Sequence, residues 1–153
     1  MYSKRTVEED SYGRCLVCEA GNTGFAIPIE YLRGVEACEE ITPLPRLPEW
    51  VVGLTTVRGG VLGVVDLARF LGLGKMSAGT GRLIICAAGE RQVALAVAAA
   101  RTIVDYAPAT LQETGATGGS VGQYVRGLIT TDDRTVPVLD VERLLADDQL
   151  VRG

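Results

Sequence analysis

Residues 51–71 read VVGLTTVRGGVLGVVDLARFL, and the reading of this stretch decides the fold. Residues 51–57 are rich in β-branched side chains, which pack well on a pleated surface. Arg58-Gly59-Gly60 interrupts the run, and Gly-Gly is a hairpin-turn signal because glycine accepts positive φ without steric cost. Residues 61–65 resume as a second strand. Asp66 stands where a helix N-cap accepts a hydrogen bond from a free backbone N–H, with one helical turn over 67–71 behind it and Gly72 as the stop. The pattern predicts a β-hairpin with one fixed cation, Arg58, at its tip. On residue type alone, that is an ordinary surface arginine.

Outward from the hairpin, the chain is a succession of short strands. Residues 14–20 (RCLVCEA) and 25–29 flank the turn chemistry of Gly21-Asn22-Thr23-Gly24. Phe25, Ile27 and Ile29 alternate, so the second of these strands has one buried face. Ile29, Leu32 and Val35 follow at three-residue spacing, which fits a short helical turn or a turn-rich segment. Three prolines in residues 41–48 mark an extended connector, with Trp50 packing on the core rim at its far end. Residues 82–86 and 92–97 are two more strands around a turn at Gly89, and 103–106, 124–130 and 135–139 complete the set before a short helix over 140–145. Residues 1–12 read as a flexible leader, 72–81 as a linker, 114–122 (TGATGGSVG) as a glycine-rich loop and 147–153 as a fraying tail. Gly74-Lys75 lacks both the earlier glycine and the following Ser or Thr of a phosphate loop.

The chain is also two copies of one plan. RCLVCEAGNTGFAIPI (14–29) matches RLIICAAGERQVALAV (82–97) without a gap, at an offset of 82 − 14 = 68. VGLTTVRGGVLGVVDLARFL (52–71) matches RGLITTDDRTVPVLDVERLL (126–145), at an offset of 126 − 52 = 74. Asp66 thereby pairs with Asp140 and Gly53 with Gly127, which argues for shared structural roles. The expected fold is mainly β: two pseudo-repeated five-stranded barrels of the SH3/OB type packed together, one from residues 14–72 and one from 82–146. The seam between them is the expected docking groove.

Composition narrows the function. With 153 residues, 47% of them apolar, the chain can bury a real core as one domain. No apolar run reaches the roughly 20 residues needed to span a bilayer, and the first residues are too polar for a signal peptide, so a cytoplasmic location is expected. A net charge of −4 argues against nucleic acid as the partner. The chain has no histidine, which removes His-based triads, imidazole metal sites and the role of a phosphorelay acceptor histidine. Cys15-Leu16-Val17-Cys18 has redox or zinc spacing, but on a strand the two thiols point to opposite faces about 10 Å apart. A disulfide needs Cα atoms within about 7 Å. Structural, reduced thiols are expected. The adjacent acids Glu8-Glu9-Asp10, Glu39-Glu40 and Asp132-Asp133 do not make a facing acid/base pair. No catalytic residue, metal or cofactor is expected.

With the repeat and the hairpin in hand, the chain resembles the CheW-like coupling proteins of bacterial chemotaxis, over nearly all of residues 14–145. The most specific part is Gly53-Leu54-Thr55-Thr56-Val57-Arg58-Gly59, similar to the family's G-x-x-N-L-R-G, followed by Val64-Val65-Asp66-Leu67; Tyr124-Val125-Arg126-Gly127 and Pro137-Val138-Leu139-Asp140 agree as well. The resemblance implies a non-catalytic adaptor between the cytoplasmic helical tip of a chemoreceptor and the regulatory domain of a CheA-type histidine kinase, monomeric in isolation and recruited to membrane-associated receptor arrays. It implies a kinase-facing surface with Gly53, Thr56 and Val57, and a receptor-facing groove with Ile29, Leu32, Val35, Val97 and Ala98, with Arg58 at its edge. Thr56 replaces the family's usual Asn, Gly63 replaces a proline, Gly34 stands where many members carry an acid, and Val97-Ala98 where Val-Asp is frequent. The alternative is a divergent double-barrel adaptor or small-molecule-binding regulatory module of a non-chemotactic pathway.

Overall fold

The computed structural model describes residues 13–38, 40–73, 81–106, 122–131 and 134–147. The leader, the tail beyond 147, most of the linker and glycine-rich loop, and the acids at 8–10, 39 and 132–133 lie outside the described residues. The described chain forms ten strands: β1 (Gly13–Ala20), β2 (Thr23–Pro28), β3 (Leu32–Ala37), β4 (Val51–Val57), β5 (Gly60–Asp66), β6 (Arg82–Ala88), β7 (Arg91–Val97), β8 (Ala99–Tyr106), β9 (Val125–Thr131) and β10 (Arg134–Leu139). Two short helices, α1 (Leu67–Phe70) and α2 (Val141–Ala146), follow β5 and β10. Both begin on the predicted cap: Asp66 accepts from the Arg69 N–H at 3.2 Å and Asp140 from the Arg143 N–H at 3.0 Å.

The strands make two five-stranded sheets, ordered β8-β1-β2-β10-β9 and β3-β6-β7-β5-β4, as two packed SH3-like barrels. These sheets do not coincide with the sequence copies. The first combines β1 and β2 of the first copy with β8, β9 and β10 of the second, and the other makes the reciprocal exchange. Residues 14–72 and 82–146 therefore do not each close a barrel of their own. The joins are parallel pairings, Ala26 with Val138 and Val64–Asp66 with Ala94–Ala96. Because the copies are alike, a hairpin of one finds the same edge on the other, and the local pattern specifies which face is buried but not which copy supplies the neighbour.

The pseudo-twofold extends beyond the matched sequence. β3 and β8 occupy equivalent edges, and each carries a bulge where the register slips, at Arg33 between Leu32 and Gly34 and at Arg101 between Ala100 and Thr102. Val35 opposite Ile84 is the counterpart of Ile103 opposite Leu16, again 68 residues apart (103 − 35).

The Ile29/Leu32/Val35 spacing begins with the expected short turn, a 3-10 turn at Ile29–Tyr31, and continues as strand β3 with alternating exposure. One expectation is refined. The hairpin turn is Arg58-Gly59, not Gly59-Gly60: both have positive φ (52° and 82°), as a type I′ turn requires, and Gly60 already pairs with Val57.

The core is distributed unlike two separate barrels. Small clusters fill the interiors, Cys15, Ala26, Ile129, Val136 and Val138 in one sheet and Val64, Leu83, Ile85, Ala94 and Ala96 in the other. The largest cluster lies between the sheets, joining Leu16, Cys18, Phe25 and Ile27 to Ile84, Cys86, Val93, Leu95 and Val97, with Leu67, Leu139 and Leu144 around them. Each fully buried side chain of this kind contributes roughly 1.5–3 kcal/mol. The seam expected to be a groove is thus filled by the main core, and only its rim is open. Trp50, Phe70 and Tyr124 close one rim as an aromatic ladder with both ring spacings 5.4 Å.

Candidate protein-interaction site

Around the β4–β5 hairpin the second sheet curls until its two edge strands face each other. One cleft of about 260 Å³ lies between Glu36, Ala37 and Glu40 on one side and Thr55, Thr56, Val57 and Arg58 on the other. A second, of about 340 Å³, lies on the other side of Arg58, lined by Arg33, Glu36, Val57, Gly60, Leu62, Ile85 and Gln92. The left-handed turn sets the Arg58 backbone at φ 52°, and its side chain reaches over Gly34 of β3. Its Nη2 lies 3.5 Å from the point where a side chain on Gly34 would begin. Among the described residues no carboxylate stands within ion-pair distance of it.

The nine residues implied by the resemblance fall into three groups. Thr56 and Arg58 are exposed and Val57 is half-buried, all on one continuous surface at the hairpin tip. Ile29 and Leu32 are half-buried and Val35 is exposed, along the edge strand that Arg58 overlies. In the third group two of the three residues are buried. Val97 is fully buried in the inter-sheet core, because its side chain points between the sheets at the end of β7. Gly53 is also buried, and a β-carbon there would overlap the backbone of Thr42 and Pro43, so its requirement for glycine is internal packing. Ala98 is exposed, but its N–H is held by the Glu19 carbonyl at 2.7 Å, whereas Ile29 adjoins the Pro28–Cys15 pair at the other end of β1. Cys15 and Glu19 are four residues apart on one strand, so the two ends of the proposed groove are separated by roughly 13 Å.

Residue-by-residue reasoning passed over Ile103, which is as exposed (49%) as its counterpart Val35 (42%). Continuing the 68-residue offset past residue 97 would have found it. It also passed over Arg33, whose guanidinium, among the described residues, donates to the carbonyls of Glu30 and Leu32.

The cysteines of the C-x-x-C spacing take separate positions. Cys15 faces a barrel interior and Cys18 the inter-sheet core, and neither is in a disulfide. Burial pushes the Cys15 thiol up to about 11 and those of Cys18 and Cys86 up to about 12, which keeps them protonated and unreactive at neutral pH. Among the described residues no cluster of His, Cys, Asp or Glu could hold a metal ion, and no helix is long and apolar enough to cross a membrane.

The chain is 28% identical over 132 residues to a probable chemotaxis protein CheW of Rhizobium etli, covering 84% of each. It is 26% identical over 141 residues to the chemotaxis protein CheW of Rhizobium meliloti, covering 90% of each. The crystal structure of the scaffolding protein TtCheW from Thermoanaerobacter tengcongensis superposes with a TM-score of 0.76 at 22% identity over 83% of both chains, which establishes the common fold. The CheW-like domain model matches residues 14–149, nearly the whole described chain, and the protein belongs to the CheW-like domain family.

Proposed function

We propose that this chain is a non-catalytic adaptor of a chemotaxis-type signalling array, joining the helical tip of a receptor to the regulatory domain of a CheA-type histidine kinase. The observation that carries the reading is the exposed β4–β5 hairpin, where Arg58 at the left-handed turn and the exposed Thr56 sit beside the edge strand with the exposed Val35. A rigid hairpin tip over an apolar edge suits recognition of a folded partner. The open clefts on either side of Arg58 favour a protein partner over an enclosed small molecule. The curated relatives named as chemotaxis proteins support the pathway. The kinase contact is assigned to Thr56 and Val57, and the receptor contact to Leu32, Val35 and Arg58, with recruitment to receptor arrays at the membrane following from the latter.

The test is titration of the purified protein with the regulatory domain of a CheA-type kinase from the same source. Saturable binding that Thr56→Lys weakens at least tenfold, with an unchanged melting temperature, supports the reading. Absence of binding at tens of micromolar removes the kinase from it.

A further inference from the structure

The pseudo-twofold supplies an internal control for the charges on the two edge strands. Arg33 and Arg101 occupy the same bulge position in β3 and β8, 68 residues apart (101 − 33). Arg101 is neutralised within the chain: its Nε and Nη2 donate to both carboxylate oxygens of Glu19, at 3.2 and 3.0 Å. The position equivalent to Glu19 in the other half is Ala87. Among the described residues Arg33 has no carboxylate within ion-pair distance, and it donates to two backbone carbonyls at 2.9 and 3.2 Å. Arg58 sits across the same cleft, also without a carboxylate within ion-pair distance among the described residues. Among the described lining residues Glu36 is the one acid, Gln92 adds an amide, and Val57, Leu62 and Ile85 are apolar.

We propose that this cleft is an anion-and-apolar subsite that takes an acidic side chain of a partner helix between Arg33 and Arg58, with a neighbouring apolar side chain on Val57, Leu62 and Ile85. A guanidinium matches a carboxylate in planar geometry, and two flanking cations hold it better than one. Gly34 leaves the approach to the Arg58 guanidinium clear, since a β-carbon there would stand in ordinary contact with it and with the Glu36 carboxylate, at 3.5 and 3.6 Å. This names the partner chemistry of the receptor-facing part of the proposed function and rests on that reading for the identity of the partner, though not for its charge. The chain's overall charge of −4 makes a local pair of arginines selective, since acidic partners are repelled elsewhere.

The experiment uses the full chain and two probes: a receptor-tip helical fragment from the same source, and a pair of synthetic amphipathic helices identical except that Glu in one is Gln in the other. The Glu helix is expected to bind about tenfold more tightly than the Gln helix at low salt, and the difference should shrink as salt rises. Arg33→Gln and Arg58→Gln should each weaken the Glu helix several-fold, while Arg101→Gln, already paired in the chain, should not. Equal affinity for the two helices, or equal effects of Arg33→Gln and Arg101→Gln, would overturn the proposal. A receptor fragment that binds without sensitivity to Arg33 or Arg58 overturns it too, and leaves the coupling function standing. A Glu helix that binds as expected while the receptor fragment does not supports the subsite and removes the receptor.

Discussion

The Thr42 carbonyl occupies the space in which a side chain on Gly53 would begin. The neighbouring residue holds it there: Thr42 and Leu54 exchange both backbone hydrogen bonds, each at 2.8 Å, so the extended connector is stitched to the outer edge of β4. Gly53→Ala should cost on the order of 2–4 kcal/mol in urea unfolding, because backbone rather than a pliable side chain must move. Thr56→Lys, three residues on and exposed, should stay within about 0.5 kcal/mol of the parent. Any binding defect of a Gly53 variant then reports packing, and Thr56 is the clean probe of the surface.

Restoring an acid at position 34 should compete with a partner. Gly34→Asp would bring a carboxylate to Arg58, an exposed pair worth at most about 1 kcal/mol to stability. Binding of an acidic helix should nevertheless fall several-fold, since the cation is no longer available. Calorimetric titration at constant salt distinguishes the two effects.

The thiols should react in order of exposure. Cys38 is half-buried, whereas Cys15, Cys18 and Cys86 are enclosed. In the native protein a thiol reagent followed by mass spectrometry should label Cys38 first. Cys18 and Cys86 should be labelled only at the rate of global unfolding, and early modification of either would mean the inter-sheet core opens locally.

Alkaline pH should destabilise the fold through the same core. Cys18 and Cys86 are raised by desolvation to about 12 from an ordinary 9.0, so the folded state holds their protons more tightly than the unfolded chain. Their contribution is fully present below pH 9 and is lost as pH climbs towards 12. Tyr124 acts in the same direction: burial, and the hydrogen bond its phenol donates to Asp147, push it up to about 12. Each thiol steepens the decline by at most about 1.4 kcal/mol per pH unit. Cys86→Ala should flatten the slope of midpoint against pH while lowering stability at neutral pH.

The helix caps should be separable from function. Asp140→Ala removes the acceptor of the Arg143 N–H and should cost about 1 kcal/mol by chemical denaturation, and Asp66→Ala, at a more buried cap, somewhat more. Receptor and kinase affinities measured well below the melting temperature should not change.

Much of this molecule is legible in its residues. Strand alternation, the glycine turns, both aspartate caps and the doubled plan follow from side-chain size, backbone freedom and spacing, which act over a few residues and so are written locally. The opposite faces of Cys15 and Cys18 follow from the two-residue period of a strand. The tertiary structure alone decided what depends on contacts between distant segments. The exchange of strands between copies was hidden because two similar hairpins offer each other equivalent edges. Val97 was assigned to a surface and lies in the core because its burial is set by the other sheet. Gly53 looked like a contact and is a clearance for a backbone eleven residues away. Arg33 and Arg101, alike in the repeat, differ because only one faces a glutamate across the strand pair, and that difference appears only once the sheets are assembled.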